Sequence, residues 1–199
     1  MIEWSLDALR ACEPVCAIVV AVPPGPEPDL GGGDLQLVAG GATRAESVAN
    51  ALAAVETELV AIHDAARPLL TPELVDALVA DLAVSPDAAG VIAAAPIADT
   101  VKRAAAEQPP TVAETLDRSL LWAAQTPQVF RVGALRAALA DAAPAPDAAT
   151  DEAMLVEAAG GTVLIHAAPA ANFKVTTPHD LRVAELLMAE RRAGGPISR

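Results

Sequence analysis

The sequence predicts an α/β domain built on a largely parallel sheet. Short apolar runs rich in Val, Ile and Leu recur along the chain, and segments with apolar residues at helical spacing alternate with them. Polar clusters fall where such strands end, which is where α/β sheets bind ligands. At 199 residues the chain fits one such domain with a real core.

Ile2, Leu6 and Leu9 share one helical face, so a helix is expected over 2–11. Val15 to Val22 reads as a strand, ended by Pro23-Pro24, and residues 23–34 as a Pro/Gly-rich loop. Leu35 to Val38 is a second strand, and Gly40-Gly41 leads into a helix carrying Val48, Leu52 and Val55. Leu59 to His63 is a third strand, Pro72 to Leu82 a helix opened by proline, and Gly90 to Ala95 a fourth strand. Residues 96–122 break the alternation. Ile97 to Ala104 and Thr111 to Leu116, joined by Gln108-Pro109-Pro110, read as a polar hairpin arm that reaches away from the domain toward a partner subunit. The pattern resumes after Phe130, with helices near 133–142, 150–159 and 178–192 and strands at 162–166 and 172–176. Ala142 to Ala149 is a Pro/Ala-rich loop. The expected organisation is one domain over 1–192, its arm at about 96–122, and a disordered tail at 193–199.

Composition excludes several functions. A formal net charge of −13 argues against nucleic acid, whose phosphates require clustered Lys and Arg. A hydrophobic share of 53% comes mostly from Ala and Val, and no apolar run reaches membrane-span length, so a soluble protein without membrane partners is expected. Cys12 and Cys16 form a single C-x3-C pair and the three histidines are scattered, which argues against zinc; Cys16 reads as a buried small hydrophobe. No signal segment is evident, so the expected location is the cytoplasm.

Five polar clusters carry the candidate chemistry. Gly40-Gly41-Ala42-Thr43-Arg44-Ala45-Glu46-Ser47 sits at a strand-to-helix junction, where glycines let backbone amides approach a ligand that Arg44 and Ser47 would flank. An ordinary glycine turn explains it equally well. His63-Asp64-Ala65-Ala66-Arg67-Pro68 ends the third strand; Asp64 suits Mg²⁺ held against phosphates, and Arg67 suits a phosphate or carboxylate. The alternative is a surface Asp-Arg pair. Asp99 to Arg103, with Thr100 and Lys102, opens the arm, and Asp117-Arg118 with Trp122 to Gln128, including Thr126, closes it. The fifth joins Thr150-Asp151-Glu152 with Asn172-Phe173-Lys174-Val175-Thr176. Thr150 is also a good N-cap, and Lys174 lies in an apolar strand where an unpaired charge is costly. No Ser-His-Asp or Cys-His pair is evident. The inventory suits phosphoryl or nucleotidyl transfer, which depends on positioning and charge neutralisation.

In this order, GGATRAESV (40–48), HDAARPLLTPEL (63–74), PIADTVKR (96–103), TLDRSLLWAAQTPQVF (115–130), TDEAMLVEAAG (150–160) and NFKVTTPHDLRVAE (172–185) resemble the 2-C-methyl-D-erythritol 4-phosphate cytidylyltransferase family. The resemblance implies a Rossmann-like nucleotidyltransferase fold, a Mg²⁺-dependent reaction of CTP with a sugar-alcohol phosphate in non-mevalonate isoprenoid biosynthesis, and a homodimer formed through the arm. It implies that Gly40, Gly41, Arg44, Ser47, Asp64 and Ala65 bind the nucleotide, with Asp64 on the metal. It further implies that Arg67, Thr100, Thr126 and Thr150 bind the sugar phosphate, and that Arg118 and Lys174 position the attacking phosphate. A ribitol-5-phosphate cytidylyltransferase and an inactive ligand-binding module are the rival readings.

The family's opening strand, its LAAGxGxRxG loop and the Pro-Lys pair after it have no counterpart in these residues, and MIEWSLDAL resembles the helix that follows them. Members often carry an acidic residue where Ala42 stands. Two expectations follow. The 199 residues alone should have little or no cytidylyltransferase activity, because losing even one transition-state donor typically costs about a hundredfold and a whole loop much more. The sheet should also have an open slot near its middle.

Overall fold

The computed structural model describes residues 1–26, 28–31, 35–142 and 150–193. The expected disordered tail, from residue 194 on, and residues 143–149 of the Pro/Ala-rich loop lie outside them.

Helix α1 (Ile2–Arg10) precedes strands β1 (Ile18–Val22) and β2 (Leu35–Ala39), which pair in parallel. Helix α2 (Arg44–Ala53) leads to β3 (Leu59–Ile62), and α3 (Pro72–Ala83) to β4 (Gly90–Pro96). The arm is an antiparallel hairpin, β5 (Lys102–Ala104) and β6 (Val112–Thr115), and every residue of both strands is exposed. Strand β7 (Trp122–Arg131) then returns to the domain, followed by α4 (Val132–Asp141), α5 (Glu152–Ala158), β8 (Val163–Ala167) and α6 (Pro178–Arg192).

The main sheet has the order β3-β7-β4-β8. Strands β4 and β8 are parallel, but β7 runs antiparallel to both its neighbours, β3 and β4. Strands β3, β4 and β8 thus run the same way, so this sheet is largely parallel as expected, with β7 the antiparallel strand among them. The ten residues of β7 were legible only as a motif, because Trp122 to Ala124 are apolar but exposed while Gln125 to Phe130 are buried, polar and apolar alike, so no alternation of character marks a strand. A correction concerns 172–176, which form no strand. Asn172 closes a turn onto the carbonyl of Pro169, and only Val175 N–H pairs across, with the Ala66 carbonyl at 2.8 Å.

Two apolar layers cover the main sheet. On one face Leu74, Val75, Leu78 and Leu82 of α3, spaced for one helical side, pack on Val91, Ala93 and Val129. On the other, Phe130 and Ile92 meet Leu135 of α4 and Leu155 and Val156 of α5. The alternation Val129/Phe130 and Val91/Ile92 is the two-residue period of a sheet buried on both sides. Gly90 faces Phe130 in register, and a Cβ there would lie 2.3 Å from the Phe130 ring, so only glycine leaves room for it. The helices start on local signals. Thr71 caps α3 ahead of Pro72, and Thr177 and Asp180 form a capping box on α6.

The expected slot is present. Among the described residues β1 pairs only with β2, and β3 only with β7. Between β1 and β3 lies a cavity of about 910 Å³, lined by Val19 and Ala21 on one side, Val60 and Ile62 on the other, and Leu6 and Leu9 of α1. Cys16 also lines it and is exposed, against the expectation of burial, because it precedes the strand rather than opening it; Cys12 is the buried thiol. Burial, with Asp76 and Glu73 nearby, pushes the Cys12 thiol up to about 11, so it is unreactive at neutral pH.

Open strand edges over an apolar cavity favour association and dye uptake. The 199-residue chain is therefore expected to bind a hydrophobic fluorophore in its native state and to self-associate, as read by dye fluorescence and light scattering. A monodisperse sample that excludes the dye and unfolds in one sharp, high-temperature transition would contradict this.

Candidate active site

Parallel β1 and β2 deliver their C-terminal ends to one place. Gly40 N–H bonds the Val22 carbonyl at 2.7 Å, so the turn after β2 lies across the end of β1. The turn is then locked onto α2. Gly41 N–H donates to Ser47 Oγ at 3.0 Å, Ser47 Oγ donates to the Thr43 carbonyl at 2.9 Å, and Thr43 caps the helix by accepting from Glu46 N–H. A Cβ on Gly41 would come within 2.1 Å of the Glu46 Cβ, so the tight approach needs glycine here. Ser47 thus spends its hydroxyl on the turn itself. Arg44, the first residue of α2, points away from the turn toward the end of β3.

There it meets Asp64. Arg44 Nε lies 3.2 Å from Asp64 Oδ1, and Lys174 Nζ lies 2.9 Å from Oδ2. Arg44 also grips Glu152 with a two-pronged bond, Nη1 to Oε1 at 2.6 Å and Nη2 to Oε2 at 2.9 Å. Lys174, expected as an unpaired charge in an apolar strand, is 43% exposed and paired. Asp64 is only 16% exposed, and burial pushes its carboxyl up. Lys174 and Arg44 more than offset that, so the group sits below the usual carboxylate range. Burial pulls the Arg44 guanidinium down, and Glu152 and Asp64 more than reverse it.

A second layer holds this carboxylate in place. Asp64 N–H donates to Thr126 Oγ1 at 3.0 Å, and Thr126 Oγ1 lies 3.1 Å from His63 Nδ1. His63 Nε2 faces the Arg67 carbonyl at 3.1 Å. A carbonyl only accepts, so Nε2 carries the proton and Nδ1 accepts from Thr126. Burial drives the His63 pKa down to about 4 and keeps the ring neutral. Thr126 is buried, so its hydroxyl braces the site rather than facing a ligand. Beneath it lie three buried amides: Asn172 Nδ2 donates to Gln125 Oε1 and to the Thr126 carbonyl, both at 2.8 Å, and Gln128 Nε2 donates to Asp151 Oδ2 at 2.9 Å. Arg67 donates to the Asn172 carbonyl at 2.9 Å, while its Nε is buried without a partner. Burial lowers the Arg67 pKa, Asp64 pulling against that and Arg44 adding to it.

The fold therefore unites Arg44, Asp64 and Lys174, with Arg67 beside them. Ala65 is exposed immediately after Asp64, and Gly40, Gly41 and Ser47 form the adjoining turn. Thr150 is exposed two residues before Glu152; Asp151, not Thr150, caps α5, because its carboxylate accepts from Met154 N–H. Thr100 and Arg118 lie exposed on and beside the arm. Arg118 donates to the Ala98 carbonyl, and no bond joins it to the Asp64 cluster of its own chain. Sequence reasoning gave no role at the site to Glu152, Gln125, Gln128 or Asn172. For Glu152 a signal existed: with Leu155 and Val156 it occupies one helical face, and that face is buried.

Comparison with known proteins identifies the family. A family model described as IspD, 2-C-methyl-D-erythritol 4-phosphate cytidylyltransferase, matches residues 1–190. The chain is 46% identical over 202 residues to the bifunctional enzyme IspD/IspF of Anaeromyxobacter dehalogenans, covering 98% of this chain and 52% of that relative. It is 44% identical to the 2-C-methyl-D-erythritol 4-phosphate cytidylyltransferase of Bordetella petrii, covering 93% of this chain and 84% of the relative. The crystal structure of the Thermus thermophilus cytidylyltransferase superposes with a TM-score of 0.81 at 36% identity, over 94% of this chain and 88% of that one. The chain thus spans about half of the bifunctional relative and most of the single-function ones.

The buried, neutral His63 gives the site a pH signature. Between pH 6.5 and about 4 the unfolded chain carries a proton on His63 that the folded chain does not, so stability falls as pH drops through that window. The expected loss is on the order of 1–3 kcal/mol, read by urea unfolding at several pH values, and His63→Gln should flatten the slope. A slope that survives the substitution would place its origin elsewhere. By the family match, the relatives and the superposed fold, the chain belongs to the 2-C-methyl-D-erythritol 4-phosphate cytidylyltransferase family and has its Rossmann-like nucleotidyltransferase fold.

Proposed function

We propose that this chain transfers CMP from CTP to 2-C-methyl-D-erythritol 4-phosphate. An oxygen of the sugar-alcohol phosphate bonds to the α-phosphorus, the α–β anhydride bond breaks, and pyrophosphate leaves with the electron pair. The observation that carries the reading is the carboxylate of Asp64, held at a strand end between Arg44 and Lys174 beside the glycine turn.

Among the described residues no group of three or more His, Cys, Asp or Glu could hold a metal. A cation at Asp64 would therefore take its other ligands from phosphates and water, which is how Mg²⁺ binds in nucleotide sites. Mg²⁺ bound there would withdraw charge from the triphosphate. Lys174, the more exposed of the two partners of Asp64, can turn to an incoming phosphate once a metal takes its place on Oδ2. In this reading Gly40, Gly41, Ser47 and Ala65 form the wall for the base, and Arg67, whose Nε is buried without a partner, and exposed Thr150 bind the sugar phosphate. Thr100 and Arg118 belong to an arm that does not reach the cluster in its own chain, so they serve the site of a second copy. Val112, Leu120 and Trp122, all exposed around the arm, provide apolar surface for such a homodimer. No helix among the described residues is long and apolar enough to cross a membrane. A cytoplasmic enzyme is consistent with this chemistry.

The test is product identification by mass spectrometry after incubation with CTP, Mg²⁺ and either methylerythritol phosphate or ribitol 5-phosphate. Formation of the cytidine diphosphate of methylerythritol is expected, and abolition by Asp64→Asn. Arg118→Ala and Lys174→Ala should each lower turnover at least tenfold while the calorimetric affinity for CTP with Mg²⁺ stays within about twofold. Preference for ribitol phosphate, or binding of CTP with no product at high enzyme concentration, would support the rival readings instead.

A further inference from the structure

Glu152 is the least expected member of the charged cluster. Its side chain is 3% exposed, it lies 108 residues from Arg44 in sequence, and both its oxygens are bound by that one guanidinium. A buried carboxylate is costly unless fully paired, and the two-pronged bond supplies that pairing. Glu152 therefore has no free oxygen to offer a ligand, and its effect must pass through Arg44.

The charges show what that effect is. Arg44 and Lys174 are cationic, Asp64 and Glu152 anionic, so the four together are neutral. Arg44 reaches Asp64 with Nε alone, at 3.2 Å, while its two terminal nitrogens are given to Glu152 at 2.6 and 2.9 Å. The stronger bonds thus go to Glu152. Without Glu152 the guanidinium charge would act wholly on Asp64, and the cluster would gain one net positive charge, on top of that of neighbouring Arg67, facing any incoming cation.

We propose that Glu152 is a positioning residue. It absorbs the charge of Arg44 and fixes the guanidinium, so that Asp64 is oriented through Oδ1 but keeps its negative charge available at Oδ2, the oxygen on the Lys174 side. This rests on the reading of Asp64 as the carboxylate that meets a divalent cation. Partners one shell out from a metal typically change its affinity by about 10–100-fold when altered, and the sign here follows from charge. Glu152→Gln keeps the shape and one hydrogen bond but removes the charge. Glu152→Asp keeps the charge.

The experiment is calorimetric titration of Mn²⁺ into the 199-residue chain with a non-hydrolysable CTP analogue, alongside melting followed by circular dichroism. In Glu152→Gln the Mn²⁺ affinity is expected to fall at least tenfold. In Glu152→Asp it should recover to within about threefold of the parent, even if that variant melts lower than Glu152→Gln. Affinity that tracks melting temperature across the two variants, or is unchanged in Glu152→Gln, overturns the proposal. Asp64→Asn separates the two layers. If it weakens Mn²⁺ binding while Glu152→Gln does not, Asp64 keeps its assignment and Glu152 loses its own. If Asp64→Asn leaves Mn²⁺ binding intact, the metal reading of Asp64 fails and the role of Glu152 fails with it.

Discussion

The architecture depends on the pairing of one carboxylate. Asp64 receives Arg44 on one oxygen and Lys174 on the other, and the three residues come from the starts or ends of separate segments: the first turn of α2, the end of β3, and the extended stretch before α6. Like charges at this spacing would repel by several kcal/mol in a half-buried setting, so opposite charges are needed to bring these segments together. The glycine turn, the capping of α2 by Thr43 and the turn at Asn172 can all be understood as the local geometry that lets the three side chains converge.

The polar layer beneath the cluster has a different job. Thr126 and the amides of Gln125, Gln128 and Asn172 are buried and His63 is half-buried, and most of their bonds are to one another or to nearby backbone, while Gln128 Oε1 and Asn172 Oδ1 find no protein partner. Such a network is favourable only when it is fully satisfied, and these two open acceptors make it a geometric standard rather than a source of stability. Burial keeps His63 uncharged, and in that form its Nδ1 accepts from the Thr126 hydroxyl that steadies the Asp64 backbone.

Much of this was legible in the sequence, for identifiable reasons. Strands β3 and β4 and helices α3 and α6 were readable because their apolar periodicity is uninterrupted and their starts carry Thr-Pro signals. Asp64, Arg44 and Lys174 were legible as individual polar residues at element ends. Their pairing was not, because contacts 20 residues apart, or as far apart as Asp64 and Lys174, leave no local trace. Strand β7 escaped because it buries polar Gln125, Thr126 and Gln128 and exposes apolar Trp122 to Ala124, and strand 172–176 was wrongly expected because Phe173 and Val175 mimic alternation across what is a turn and an extended segment. Cys16 was misplaced for a similar reason. An apolar run shows where a strand lies but not which of its flanking residues is still covered.

Strand β7 has one more consequence. It begins at Trp122, exposed at the foot of the arm, and ends at Arg131, whose guanidinium ties to the Ala88 and Leu82 carbonyls at the far side of the domain. Thr126 sits midway along this span, in the interruption between Ala124 and Gln128 where the register to β4 shifts. Trp122 to Ala124 are laced to Pro96, Ala95 and Ala94, and Gln128 to Phe130 to Ile92, Val91 and Gly90. Two laced stretches joined by an irregular one make a lever with a joint. A tilt of the arm would be taken up at Gln125 to Pro127, beside the hydroxyl that accepts from the Asp64 backbone amide. The arm and the charged cluster in this sense share one pivot.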